Sequence, residues 1–164
     1  MNNIIIQSYS DQYRQQVQDL ILNIQKNEFK IPISIEEQPD LNDIPGFYQV
    51  NKGNFWIAMI DKEVAGTISL LDIGRKKGAL RKMFVASEFR GKELGIARQL
   101  LTHLLGCAAA NGFKEILLGT TEKFIAAHRF YEKNGFTEID RKVLPKEFPV
   151  MKVDVKFYKY TIDS

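Results

Sequence analysis

Residues 79–101 read ALRKMFVASEFRGKELGIARQLL, and how this stretch folds decides the architecture. Its first seven residues, 79–85, read as a strand ending in Met83, Phe84 and Val85. Arg90, Gly91, Lys92, Glu93, Leu94 and Gly95 then form a basic turn. Beyond it Ile96, Leu100, Leu101, Leu104 and Cys107 share one helical face, which predicts a helix from Gly95 to Asn111 stopped by Gly112. A helix start leaves N–H groups unpartnered and carries partial positive charge, and a phosphate satisfies both. The backbone N–H groups from Gly91 to Ile96 can therefore cradle a phosphate, with Arg90 and Lys92 adding charge. Glu93 does not forbid this, because a cradle uses N–H groups while the side chain points to solvent. A plain helix cap with solvated charges is the competing reading.

Upstream, residues 3–8 predict a first strand, and the stripe Tyr13, Val17, Leu20, Ile21 and Ile24 predicts a helix capped by Ser10. Residues 31–46, with three prolines, read as irregular, with a short helix between Ser34 and Ile44. Residues 54–60, 63–73 and 79–85 form an antiparallel meander. Downstream, EILLGT (115–120) reads as a buried strand, Lys123–Lys133 as a helix, and 136–143 and 151–162 as closing strands. The strand–helix–strand unit at 79–120 demands a parallel crossover. The expectation is α+β: a mixed, mostly antiparallel central sheet flanked by helices, in one domain spanning 1–164.

The bulk numbers narrow the function. The chain has 164 residues, 45% of them hydrophobic, and a net charge of +3, with its lysines and arginines spread rather than gathered in a block. That composition argues against nucleic-acid and membrane partners. The start, MNNIIIQSYSDQ, has no signal-peptide pattern, and one cysteine rules out an internal disulfide; both fit a cytoplasmic home. Cys107 is a small apolar residue on a helix, and His103 and His128 without an acid or thiol cluster predict no metal.

A second motif adds specificity. Ala127, Phe130, Tyr131, Gly135 and Phe136 lie in AAHRFYEKNGF (126–136). Together with Arg90, Glu93 and Gly95 behind an aromatic–valine strand end, this resembles the GCN5-related N-acetyltransferase (GNAT) superfamily over nearly the whole chain. Glu93 stands where that family has its first glycine.

The resemblance implies the acyl-CoA N-acyltransferase fold. It also implies acetyl-CoA as co-substrate, held in an opening between strands 79–85 and 115–120. The backbone of Met83 and Val85 would bind the pantetheine arm, with Phe84 between them, and residues 90–97 the diphosphate. The implied reaction is direct acetyl transfer to a primary amine of a small molecule, peptide or protein, with Tyr131 as proton donor to the leaving thiolate. A homodimer is an arrangement the resemblance allows.

Glu93 and two further departures leave a rival, a coenzyme-binding domain without efficient catalysis. Ala79 replaces a glutamate that many relatives use as base, and Phe124 replaces a coenzyme-contacting asparagine, a contact open to Thr120, Thr121 or His128. No base is assigned; Glu36, Glu37, Asp43, Asp72 and a water chain all remain open. Phe47, Tyr48 and Phe148 either line the acceptor pocket or pack beneath loops.

Overall fold

In a computed structural model, described here for residues 3–91 and 94–163, the chain forms one seven-stranded sheet. The strands are β1 (Ile4–Ser8), β2 (Asn54–Ile60), β3 (Glu63–Gly74), β4 (Lys77–Val85), β5 (Glu115–Thr120), β6 (Thr137–Ile139) and β7 (Lys156–Thr161). Their order across the sheet is β1-β2-β3-β4-β5-β7-β6. Only β4 and β5 pair in parallel; all other neighbours are antiparallel.

The α-helices are α1 (Arg14–Leu22), α2 (Ile44–Tyr48), α3 (Ile96–Ala110) and α4 (Ile125–Lys133). Helix α3 buries Ile96, Leu100, Leu101, Leu104 and Ala108 against Ile68, Leu70, Leu80, Ile116 and Leu118 of the sheet. The buried stripe ends on Ala108, while Cys107 is half-buried. On the opposite face, Val17 and Ile21 of α1 and Ile44 and Tyr48 of α2 pack on Phe55, Ile57 and Val64. Trp56 is core, with its ring edge-on to His103.

Several predicted boundaries move, each for a local reason. Ser10 precedes a 3-10 turn (Asp11–Tyr13), and its side chain caps nothing. The short helix expected between Ser34 and Ile44 forms as a 3-10 turn, Pro39–Asn42, and α2 follows it where the Asp43 carboxylate accepts the Gly46 N–H at 3.0 Å. β4 begins at Lys77, since the turn needs only Arg75 and Lys76, both at positive φ as a two-residue hairpin requires. The closing strands are shorter than predicted. Asp140 caps a 3-10 turn at Arg141–Val143, and the Asp154 carboxylate accepts the Met151 N–H at 2.9 Å, bending the chain before β7.

Two irregularities position the site. First, β4 and β5 pair only at Lys77–Ala79 with Glu115–Leu117. β5 stays paired with β7 along its length, so β4 leaves it and a gap opens. Second, β4 bulges. Thr67 pairs with Phe84 and Ser69 with Arg81, so two steps on β3 face three on β4. Lys82 sits at φ 53 in the bulge. The Thr67 and Ser69 hydroxyls each donate at 2.6 Å, to the Lys82 and Arg81 carbonyls respectively.

Candidate active site

The gap holds two cavities that share the walls Met83, Phe84, Phe124 and Tyr131. The larger, about 520 Å³, lies toward α3 and α4. Met83, Phe84, Val85, Arg90, Ala97, Ala127, Phe130 and Tyr131 line it. Ala86 donates its N–H to Ala65 on β3 at 2.9 Å. Strand alternation therefore turns the Met83 and Val85 backbone groups away from β3, into the gap.

Not every predicted residue reaches this cavity. Gly91 and Gly95 shape the turn at its rim with φ of 135° and 61°, and the Gly95 N–H donates to the Gly91 carbonyl at 3.2 Å. Leu94 packs on the core edge, and the Ile96 side chain is buried within it. Lys92 and Glu93 lie outside the described residues.

Arg90 is already engaged. Its guanidinium pairs with both Glu28 oxygens, its Nε donates to the Val85 carbonyl at 2.8 Å, and it lies 6.0 Å from the Phe29 ring centroid. Glu28 ends a π-helical turn, Asn23–Glu28, that continues α1. Lys123 ties the same segment down by donating to the Phe29 and Lys30 carbonyls at 3.2 and 2.9 Å.

Tyr131 stands where the two cavities meet. Its placement follows from how α4 ends. Gly135, at φ 96, lets the Phe136 N–H reach back to the Tyr131 carbonyl at 3.0 Å and the Gly135 N–H to Glu132 at 3.4 Å. This is the Schellman stop, whose apolar contact is here the Tyr131 and Phe136 rings, 5.5 Å apart. The Tyr131, Gly135 and Phe136 spacing read from sequence thus has a mechanical meaning: the helix stop clamps the tyrosine ring. Its hydroxyl has no partner among the described residues, and the side chain is buried on the wall of both cavities. Burial, then nearby Tyr158, pushes its pKa well above the usual tyrosine value.

The smaller cavity, about 90 Å³, carries charge. A regular strand would send Arg81 and Lys82 to opposite faces; the bulge brings both to its wall. The Arg81 guanidinium lies 5.5 and 5.9 Å from the Phe47 and Tyr48 ring centroids. Lys82 is buried, donates to Gln38 Oε1 and lies 3.8 Å from Asp40 Oδ2. Desolvation lowers its pKa to about 8 against the pull of Asp40. Asp154 stands on the β5 side, over Gly119, and burial raises its carboxyl pKa.

The sequence-stretch candidates for a base are spent on structure. Glu37 accepts the Ser34 N–H at 3.2 Å, Asp43 caps α2, and Asp72 accepts N–H groups of Gly74 and Lys52 at 2.9 and 3.2 Å. Neither these nor Glu36 lines a cavity. Ala79 is in a dry cluster with Leu117, Phe148 and Phe157. Thr120 and Thr121 line the smaller cavity, whereas His128 is buried with Nε2 2.9 Å from the Thr121 carbonyl. Phe148 lines the smaller cavity, while Phe47 and Tyr48 flank Arg81.

The model of the Acetyltransferase (GNAT) family matches residues 18–136, from α1 through the end of α4. The chain belongs to that family. Among solved structures, it is similar to a GNAT-family acetyltransferase from Staphylococcus aureus Mu50, with a TM-score of 0.95 and 39% identity over 98% of this chain and 100% of that one. The PaiA N-acetyltransferase of Thermoplasma acidophilum, solved with coenzyme A, shares the GNAT fold at a TM-score of 0.74 and 19% identity, covering 98% and 99% of the two chains. Among curated GNAT-type relatives, N-acetylaspartate synthetase of Xenopus tropicalis is 38% identical over 104 residues. That match covers 61% of this chain but spans only 37% of the relative's length.

Sequence reasoning missed Arg81, Lys82 and Asp154 at the smaller cavity, and Asp40 beside Lys82. The bulge that turns Arg81 and Lys82 together leaves no mark in LRKMF, and both acids come from loops. The one available signal was Phe148, six residues before Asp154, and it points to an aromatic wall rather than to the acid.

Proposed function

We propose that this protein moves an acetyl group from acetyl-CoA directly to a primary amine in a ternary complex. The observation that carries this reading is the single junction, walled by Met83, Phe84, Phe124 and Tyr131, where a long apolar cavity meets a small charged one. Donor and acceptor entering from the two sides would meet there without a covalent enzyme intermediate.

The larger cavity fits the coenzyme. Its apolar walls suit the pantetheine arm, the gap-facing backbone of Met83 and Val85 offers it hydrogen bonds, and Arg90 and the start of α3 suit a diphosphate. Acetyl-CoA would supply the activated thioester. The chain's own groups orient it, exclude water, and place the Tyr131 hydroxyl at the sulfur. The amine lone pair forms the C–N bond as the C–S bond breaks. The amine attacks in its neutral form and gives up one N–H proton to solvent as the amide forms, keeping the other, and the departing thiolate takes up one proton. The PaiA protein binds coenzyme A, and the curated relatives are named for acetylation of an amino acid, which supports both halves of the reading. A cytoplasmic location suits a protein drawing on acetyl-CoA.

Titration calorimetry and a thiol-release assay over an amine panel test the proposal. Acetyl-CoA binding with amine-dependent thiol release is expected. Binding without release from any amine would instead favour the non-catalytic coenzyme-binding reading, which the dry surroundings of Ala79 support.

Arg90 gives a separate prediction. Glu28 competes with a diphosphate for its guanidinium, so Glu28→Gln tightens acetyl-CoA binding by about two- to fivefold, the scale of an exposed ion pair. Calorimetry at low and high salt reads it, with the gain shrinking as salt rises. Weaker binding would mean that Glu28 positions Arg90 rather than occupying it.

A further inference from the structure

We propose that the acceptor is a small amino carboxylate, its carboxylate seated on Arg81 and its ammonium directed by Asp154. The inference deepens the transferase reading and rests on it.

Arg81 is the cation of the small cavity that the protein leaves without an anion. Lys82 has Asp40 beside it, and Asp40 also accepts the Tyr48 hydroxyl at 2.6 Å. Among the described residues no carboxylate is paired with the Arg81 guanidinium. Its plane is held instead by the faces of Phe47 and Tyr48. A guanidinium pre-set on aromatic rings, with its donors free, suits a planar carboxylate bidentately.

Across the cavity Asp154 is likewise incompletely used. One carboxylate oxygen, Oδ2, accepts the Met151 N–H at 2.9 Å; the other has no partner among the described residues. Its place is set by Gly119, because a Cβ built there would lie 2.7 Å from Asp154 Oδ2 and 2.9 Å from its Cγ. Arg81 and Asp154 line the same cavity without forming an ion pair with each other. Opposite charges on the wall of one cavity of about 90 Å³ match a compact molecule carrying both signs. A polyamine would leave Arg81 facing more positive charge.

The test uses the full chain with acetyl-CoA and a matched panel. Glycine, β-alanine and larger α-amino acids are each paired with their carboxamides. Ethylamine, phosphoethanolamine and spermidine serve as amines without a carboxylate. The expected result is a kcat/KM for the acids about 10- to 100-fold above their carboxamides, the scale of lost charge-assisted hydrogen bonds. Arg81→Met raises KM for the acids to the carboxamide level and leaves acetyl-CoA affinity unchanged. Gly119→Ala, which displaces Asp154, raises KM for acids and carboxamides alike.

Equal or faster release with spermidine, ethylamine or phosphoethanolamine overturns the inference but leaves the transferase reading standing. So does an Arg81→Met protein that discriminates as the wild type does. No release with any amine removes the transferase reading and this inference with it. The wild-type panel decides even where a variant fails to fold.

Discussion

Replacing Tyr131 with Phe lowers the chemistry-limited rate by about 10²–10³-fold, the range for loss of one hydrogen-bond donor to developing charge, while acetyl-CoA affinity stays within about twofold. The ring is clamped by Phe136 and by Tyr158, whose centroid is 6.0 Å away, and Phe keeps those contacts. Among the described residues the hydroxyl has no hydrogen-bond partner to lose, so folding stability should not fall. Its raised pKa shapes the role. At working pH the phenol is fully protonated, so it gives the rate profile no limb below about pH 10. A thiol ordinarily titrates near about 8.5, below this tyrosine, so in the proposed transfer the hydroxyl would stabilise the departing sulfur chiefly by donating a hydrogen bond. Single-turnover measurement separates this step from product release. An unchanged single-turnover rate would remove Tyr131 from the chemistry.

The same tyrosine marks how far the sequence is legible. NFWIAMI and EILLGT become β2 and β5 with the predicted ends, because each is a continuous apolar run between turn residues. α4 ends where Gly135 says it should, since the stop is local chemistry. Non-local determinants were not readable. The bulge in β4 depends on hydroxyls from Thr67 and Ser69 on the neighbouring strand. The π-helical turn that presents Glu28 follows the α1 stripe with no break in its pattern. Asp40 and Asp154 carry no local signal; only the fold places them beside Lys82 and Gly119. The departures from local rules gather around the two cavities, where consistency between sequence and local structure yields to function.

Asp40→Ala should be the most destabilising change near the site, costing about 3–5 kcal/mol at neutral pH, the scale for breaking a buried ion pair from one side. Asp40 and Lys82 have side chains only 4% and 3% exposed. Removing the acid strands the Lys82 cation and takes the acceptor from Tyr48. Gln38 cannot fully compensate, because its amide already exchanges hydrogen bonds with Gln25 at 3.0 and 2.9 Å.

The pH dependence tests the cause. Lys82 titrates at about 8 in the folded chain against an ordinary 10.5, so between these values the unfolded chain binds more protons. Wild-type stability therefore gains from this group as pH rises through that window and loses it as pH falls back through 8. Above about pH 10 the trend reverses. Tyr9, Tyr48 and Tyr131 have raised pKa values, so their unfolded forms ionise first. Without Asp40, Lys82 loses its main stabilising charge and its pKa drops further, so the deficit of Asp40→Ala should shrink between pH 7 and 10 in denaturant melts. Pairing Asp40→Asn with Lys82→Met should recover most of the loss, because an apolar replacement leaves no buried charge. A deficit constant across that pH range would show that Lys82 is not the charge Asp40 neutralises.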